Sequence, residues 1–253
     1  MTGIGPAALV AVAGLAAGGI NAVVGSGTLV TFPTLLAIGV PPVTANVSNS
    51  IGLVPGSFSG AWGYRRELAG QRDRLIRYGS ASLIGGVAGA LLLLVLPSDV
   101  FKAAVPVLIV LALGLVLAQP ALARRFAGNT AHGPTRRHQQ GLWVLVLFTG
   151  VYGGYFGAAQ GVLLVAALGA FLDTDLQRVN ALKNVLAGLV NGVAGILFVI
   201  LSHPNWTYVA IIAVASAIGG QLGASVGRRL RPIVLRVVIV VVGVAALVKF
   251  IWF

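Results

Sequence analysis

The chain has 253 residues, 58% of them hydrophobic and 9% charged, with a mean hydropathy of +0.98; a water-facing domain carries about 25% charged residues. Apolar runs of about 20 residues recur along its length, enough to cross a ~30 Å hydrocarbon core. The formal charge of +12 sits in short loops between those runs, which is the positive-inside distribution and speaks against a nucleic-acid partner.

The class that remains is an all-α polytopic membrane protein with the lipid bilayer as its solvent. There is no cysteine, which removes disulfide and thiolate chemistry. No Lys or Arg precedes Arg65, so the N-terminus lacks the positive region of a signal peptide, and residues 14–40 are expected to be part of the working protein.

The first apolar segment, residues 4–38, would be about 50 Å long as one helix. It must break or fold back, and Gly18-Gly19-Ile20-Asn21-Ala22-Val23-Val24-Gly25-Ser26-Gly27 together with Pro33 is expected to supply the break. A Gly39–Pro42 turn follows, then spans at about 43–63, 75–96 and 100–118. Residues 119–140 read as a basic linker. The second half repeats the plan: a glycine-broken segment at 141–171, a polar turn with Asp173 and Asp175, then spans at about 179–201, 206–226 and 232–252.

The repeat is visible in the letters. Ala81-Ser82-Leu83-Ile84-Gly85-Gly86-Val87-Ala88-Gly89-Ala90 matches Ala215-Ser216-Ala217-Ile218-Gly219-Gly220-Gln221-Leu222-Gly223-Ala224 at seven positions of ten. At nearly the same offset Gly18 meets Gly154, Gly25 meets Gly161, and Asn49 meets Asn184. The expected division is a first repeat at 1–118, the linker at 119–140, and a second repeat at 141–253.

Loop charge sets an orientation. The loop at 64–77 carries Arg65, Arg66, Arg72, Arg74 and Arg77, whereas its repeat partner, Ser202–Asn205, carries no Lys or Arg. Pro97–Lys102 is nearly uncharged, while its partner at 227–231 holds Arg228, Arg229 and Arg231. With 64–77, 119–140 and 227–231 cytoplasmic, equivalent loops fall on opposite sides, which favours inverted halves over a plain eight-span protein with parallel repeats.

Glycines four apart (Gly52, Gly56, Gly60; Gly85, Gly89; Gly188, Gly192; Gly219, Gly223, Gly227) read as close helix packing. The breaks at 18–27 and 153–161 are too dense in glycine for a packing face alone. Irregular backbone at membrane depth survives where it is buried in protein or lines a wet cavity, and paired breaks in two halves point to a transporter's binding site. Unwound turns offer N–H groups, and the half-helices starting near Thr28 and Leu163 present positive ends; both suit an anion. A purely structural kink is the plain alternative.

Around these breaks the candidate substrate-binding residues are Gly18, Gly19, Asn21, Gly25, Ser26, Gly27 and Thr28 in the first half. Asn46, Ser48 and Asn49 follow at the start of its second span. The second-half set is Gly154, Gly157, Gln160, Gly161, Asn180, Lys183 and Asn184. The amides and hydroxyls suit oxyanion oxygens or serve as interhelical glue. Lys183 reads either as an intramembrane counter-ion or as a lysine one turn inside its span that snorkels to the interface. Gln221 is a weaker polar candidate, and Lys102 and Arg236 read as interfacial anchors.

Catalysis and metal binding find no support. His132, His138 and His203 lie in expected loops, and there is no HExxH, His/carboxylate cluster or P-loop lysine motif. No cofactor is expected.

The segment Gly14–Pro33, followed by Ala45-Asn46-Val47-Ser48-Asn49-Ser50, resembles the signature of the TauE/SafE sulfite-exporter family, and Gly150–Gly161 with Asn180–Asn184 resembles its second-half counterpart. The resemblance covers nearly the whole chain. It implies an inner-membrane transporter for sulfite, organosulfonates or related sulfur anions, and it carries over the glycine break, Pro33 and the polar start of each second span. The expected function is secondary transport of a small anion by alternating access, one half rocking against the other, with or without a coupling proton or sodium ion. A passive anion channel and a non-transporting membrane scaffold are the alternatives; an enzyme is not expected. Oligomeric state is not set by the sequence.

Overall fold

The computed structural model describes residues 3–126, 136–172, 175–226 and 232–252. Among them the chain is entirely helical: α1 (Ile4–Val23), α2 (Thr28–Ala37), α3 (Pro42–Gly63), α4 (Arg72–Val95), α5 (Ser98–Phe126), α6 (Arg136–Tyr155), α7 (Gln160–Phe171), α8 (Leu176–Leu201), α9 (Trp206–Ser225) and α10 (Pro232–Trp252). The stretch expected as a linker is shorter than 119–140, because α5 runs on to Phe126 and α6 starts at Arg136. Gly227, Arg228, Arg229, Arg231, His132 and Asp173 lie outside the described residues.

Among the described residues five helices are long and apolar enough to cross a bilayer: α1, α4, α5 (over Ser98–Ala121), α8 and α9. α2 and α7 are shorter apolar helices, as is Ile233–Ala245 within α10. α3 has 22 residues and therefore the length of a span. It carries Asn46, Ser48, Asn49, Ser50 and Ser57 on its buried side, so its polarity is turned inward rather than to lipid.

Both long glycine-broken segments divide into a long and a short helix. In the first, Gly25 takes φ +86° and its N–H bonds back to the Ile20 carbonyl (3.0 Å). A Cβ on Gly27 would press on Ala17 of α1. The chain has therefore turned back on itself, since Ala17 lies about 9 Å up the helix from Val23 at 1.5 Å per residue. Pro33, expected to help break the segment, instead sits buried inside α2. The glycines make the break, and the helix tolerates the proline's missing N–H as membrane helices do when neighbours surround them.

The two sequence halves are interlocked. α1 packs along α9 and α6 along α4; α3 lies against α9 and α8 against α4; α2 touches α10 and α7 touches α5. Each of these contacts has its counterpart when the two halves are exchanged. Gly18 of α1 sits on the backbone of Ser216 and Gly220, and Gly219 of α9 lies against Leu15 and Gly19. Gly85 and Gly89 of α4 meet Leu147, Gly150 and Val151 of α6 in the same way. Most of the four-residue ladders are thus packing faces, as the spacing predicted; Gly192, which has open space where a Cβ would go, is not.

Among the described residues the two larger apolar cores each draw on both halves. One contains Val10, Ala17, Leu29, Phe32, Leu53, Ile109, Phe156 and Ile212, from α1, α2, α3, α5, α9 and the second break. The other contains Tyr78, Leu142, Val146, Leu164, Leu168, Leu182 and Leu186, from α4, α6, α7 and α8.

Candidate functional site

The two breaks touch. The N–H of Gly161, at the start of α7, donates to the carbonyl of Gly25 (3.0 Å). A Cβ on Gly161 would fall within 2.9 Å of the Gly25 oxygen, and one on Gly25 within 2.8 Å of the Gly161 carbonyl carbon. Only glycine at both positions permits this approach, and at Gly25 the positive φ demands it a second time. Thr28, first residue of α2, faces Gly157 of the second break. Phe156 stacks edge-on against Phe32 of α2 (5.2 Å) and Phe101 of α5 (6.1 Å), which seals one side with apolar rings.

Each long helix that ends at a break is capped from the opposite half. Lys183 of α8 donates to the carbonyls of Asn21 (2.9 Å) and Ala22 (3.1 Å), and Asn184 donates to Ala22 (3.2 Å). These are orphan carbonyls at the end of α1, where the helix dipole favours a cation. In the second half, Asn46 of α3 donates to the Tyr155 carbonyl at the end of α6 (2.9 Å).

Lys183 is fully buried, so it does not snorkel. Its position eight residues into α8 places the ammonium against α1 rather than at the interface. An ammonium has three donors, and two go to carbonyls.

The start of α2 carries a small polar network. Asn21 Oδ1 accepts from the Gly27 N–H (3.1 Å). Asn49 donates through Nδ2 to Thr28 Oγ1 (3.2 Å) and accepts at Oδ1 from Thr31 Oγ1. Thr31 was not among the candidates, although it lies three residues from Thr28 and so on the same helix face. The second break relies more on backbone. Gly157 has φ +77° and Ala159 φ +59°, and the Tyr152 hydroxyl donates to the Ala158 carbonyl (2.6 Å). α7 starts at Gln160, earlier than the Leu163 expected, because Gly161 is helical; its missing side chain serves the approach to Gly25.

Two buried polar atoms at the crossing have no partner among the described residues: Ser26 Oγ and Gln160 Nε2. Each belongs to the residue next to one of the touching glycines. Leaving such a group unpaired costs about 1–3 kcal/mol, so it calls for an occupant.

Several candidates lie elsewhere. Gly18 and Gly19 belong to α1 and pack on α9, and Gly154 packs on Gly86 and Ala90 of α4. Their density near the breaks reflects helix packing continuing up to the last turn. Ser48 Oγ accepts from the Asn205 N–H (2.8 Å), which fixes the α8–α9 connection. Asn180 is buried on α8 with an unpaired Oδ1. Asp175 caps α8 by accepting from the Gln177 N–H (3.1 Å). Gln221 and Lys102 are exposed.

The sequence model of the family described as Sulfite exporter TauE/SafE matches residues 10–250. Among curated proteins, the probable membrane transporter protein YfcA of Escherichia coli is 26% identical over 86% of this chain and 81% of its own length. The probable membrane transporter protein ORF9 of a Sinorhizobium species is 24% identical over 94% and 89%. A probable membrane transporter protein of Haemophilus influenzae is 27% identical over 88% and 85%. No solved structure matches. A match over residues 10–250 takes in both breaks and runs from within α1 to within α10, and the chain belongs to the sulfite exporter TauE/SafE family of membrane transporters.

Proposed function

We propose that the chain is a secondary transporter of a small anion, a sulfur oxyanion such as sulfite or a sulfonate, held where the two glycine breaks cross. The observation that carries this reading is the direct Gly25–Gly161 contact between halves, flanked by the unpartnered Ser26 Oγ and Gln160 Nε2. Hydroxyl and amide donors with a buried ammonium nearby can bind oxyanion oxygens. The family description, Sulfite exporter TauE/SafE, and the relatives' names as transporters favour flux over a scaffold role.

Backbone fills the crossing, so an anion passes only if the two breaks part. The interlocked contacts suggest which bodies separate: α1, α2, α3, α9 and α10 move against α4, α5, α6, α7 and α8, rather than one sequence half against the other. Inverted halves with the basic loops cytoplasmic belong to the same reading.

The test is counterflow in proteoliposomes with sulfite, thiosulfate, sulfate, sulfoacetate and taurine. A transporter shows saturable counterflow, a pore shows none, and a scaffold shows no flux. In parallel, the transported anion should raise the melting temperature of purified protein, because only binding to the folded state does so. Stabilisation by cations or neutral solutes alone would remove the anion reading.

A further inference from the structure

A second polar site lies away from the breaks, at the basic ends of α4 and α6. Asp73, Arg74, Arg77 and Tyr78 from the first two turns of α4, Gln139 from the first turn of α6 and Leu172 after α7 line a cavity of about 220 Å³. That is several times the ~30 Å³ share of one water, enough for a phosphate and its substituent. Arg77 donates to the Gln139 side chain, which joins the two helices across it. Arg74 is held by a long bond to Gln71 (3.4 Å).

The surroundings have the chemistry of a membrane boundary. Trp143 of α6 is half-buried and donates its indole N–H to Ser80 of α4 (3.1 Å), the usual posture of an interfacial tryptophan with one end apolar and one end wet. Beside it both helices expose apolar side chains: Ile76 on α4, and Val144 and Leu145 on α6. A head group seated in the cavity would have its acyl chains on this surface.

We propose that the cavity binds the phosphodiester head group of a membrane phospholipid. Arg74 and Arg77 meet the phosphate oxygens, for which guanidinium geometry is suited. Asp73, on the rim, gives the site an acceptor beside two cations. That combination selects head groups whose substituent carries hydrogen-bond donors, the ammonium of phosphatidylethanolamine or the hydroxyls of phosphatidylglycerol. Phosphatidylcholine, with the same phosphate but no N–H, is excluded. Basic pockets between membrane helices bind phospholipid head groups in this way.

The experiment is native mass spectrometry of the full chain released from micelles doped with one lipid at a time. Phosphatidylethanolamine and phosphatidylglycerol should bind at least tenfold more than phosphatidylcholine, and the R74Q/R77Q variant should lose that excess. R65Q/R66Q, which removes the same charge from the neighbouring loop, should keep it. Should R74Q/R77Q not fold, the lipid ranking and competition by 10 mM glycerol phosphate on the unaltered protein decide the matter. Equal binding of phosphatidylcholine, or equal loss in R65Q/R66Q, would overturn the site. Glycerol phosphate that binds without any lipid preference would reassign it to a soluble phosphate ester and overturn the lipid proposal. Counterflow by R74Q/R77Q is read separately, since transport can persist with this site empty.

Discussion

The two glycine breaks have one topology and different chemistry. The first is held by side chains: Asn21 on Gly27, Asn49 between Thr28 and Thr31, and Lys183 with Asn184 on the end of α1. The second is held mostly by backbone. Two residues there have positive φ, one tyrosine hydroxyl bonds a carbonyl, and α7 gives an N–H to Gly25. Of the two caps on α1 and α6, only the first contains a charge. A duplicated frame thus fixes where the breaks meet, while side-chain substitution concentrates the polar chemistry on one of them.

The comparison breaks most severely at the glycines. Gly25→Ala adds a Cβ inside the Gly161 backbone at φ +86°, combining overpacking with left-handed strain, and should cost about 3–5 kcal/mol. A Cβ on Gly157, at φ +77°, would meet the Gly153 oxygen at 3.1 Å and Thr28 Oγ1 at 3.9 Å, so left-handed strain dominates over a milder contact and Gly157→Ala should cost about 1–2 kcal/mol. Thermal melts of the two purified variants should rank them in that order; equal losses would mean that the crossing is looser than the contact implies.

Lys183→Met comes next. It removes two charge-assisted hydrogen bonds from the end of α1 but also relieves the burial of an ammonium, so the net loss should be about 1–3 kcal/mol, with counterflow abolished. A variant that melts higher yet does not transport would show that the charge is kept for the anion rather than for the cap. Full transport in that variant would remove Lys183 from the site.

Much of this frame is legible in the letters. The repeat, the two glycine-dense stretches and the start of α2 at Thr28 follow from glycine spacing and alternating apolar runs. The exact extent of each break does not, because glycine has two uses here. Gly25 and Gly157 supply positive φ, whereas Gly18, Gly19 and Gly154 let another helix approach, and one sequence shows both as the same letter. The four-residue spacing shared by Gly85/Gly89 and Gly219/Gly223 marks packing faces but does not say that each face belongs to the opposite half. Lys183 illustrates the same limit. Its depth along α8 can be estimated, but its partners are carbonyls contributed by α1, more than 160 residues away.

A smaller effect tests the capping side chains. Asn49→Ala removes two side-chain bonds at the first break, and Asn46→Leu removes one at the second. At about 0.6 kcal/mol per interhelical bond in a membrane protein, Asn49→Ala should lose about twice as much stability. The reverse order in chemical or thermal unfolding would mean that the second break is the better-anchored one.

The smallest change in stability should carry the most information about function. Ser26 Oγ is buried and has no partner among the described residues, so Ser26→Ala deletes a group that their packing does not use. The relief of an unpaired, desolvated hydroxyl and the small cavity left by its removal oppose each other, so the net change in stability should be no more than about 0.5 kcal/mol. If that hydroxyl addresses the anion, the concentration of sulfite or sulfonate giving half-maximal counterflow should rise several-fold while the melt stays put. Gln160→Met makes the matching change at the second break, where the unpaired Nε2 lies. A loss of affinity in both variants would put the anion between the breaks. A loss in Ser26→Ala alone would place it on the first, where the side chains gather. Unaltered transport in both would move the substrate site away from the crossing and leave Gly25 and Gly161 as packing alone.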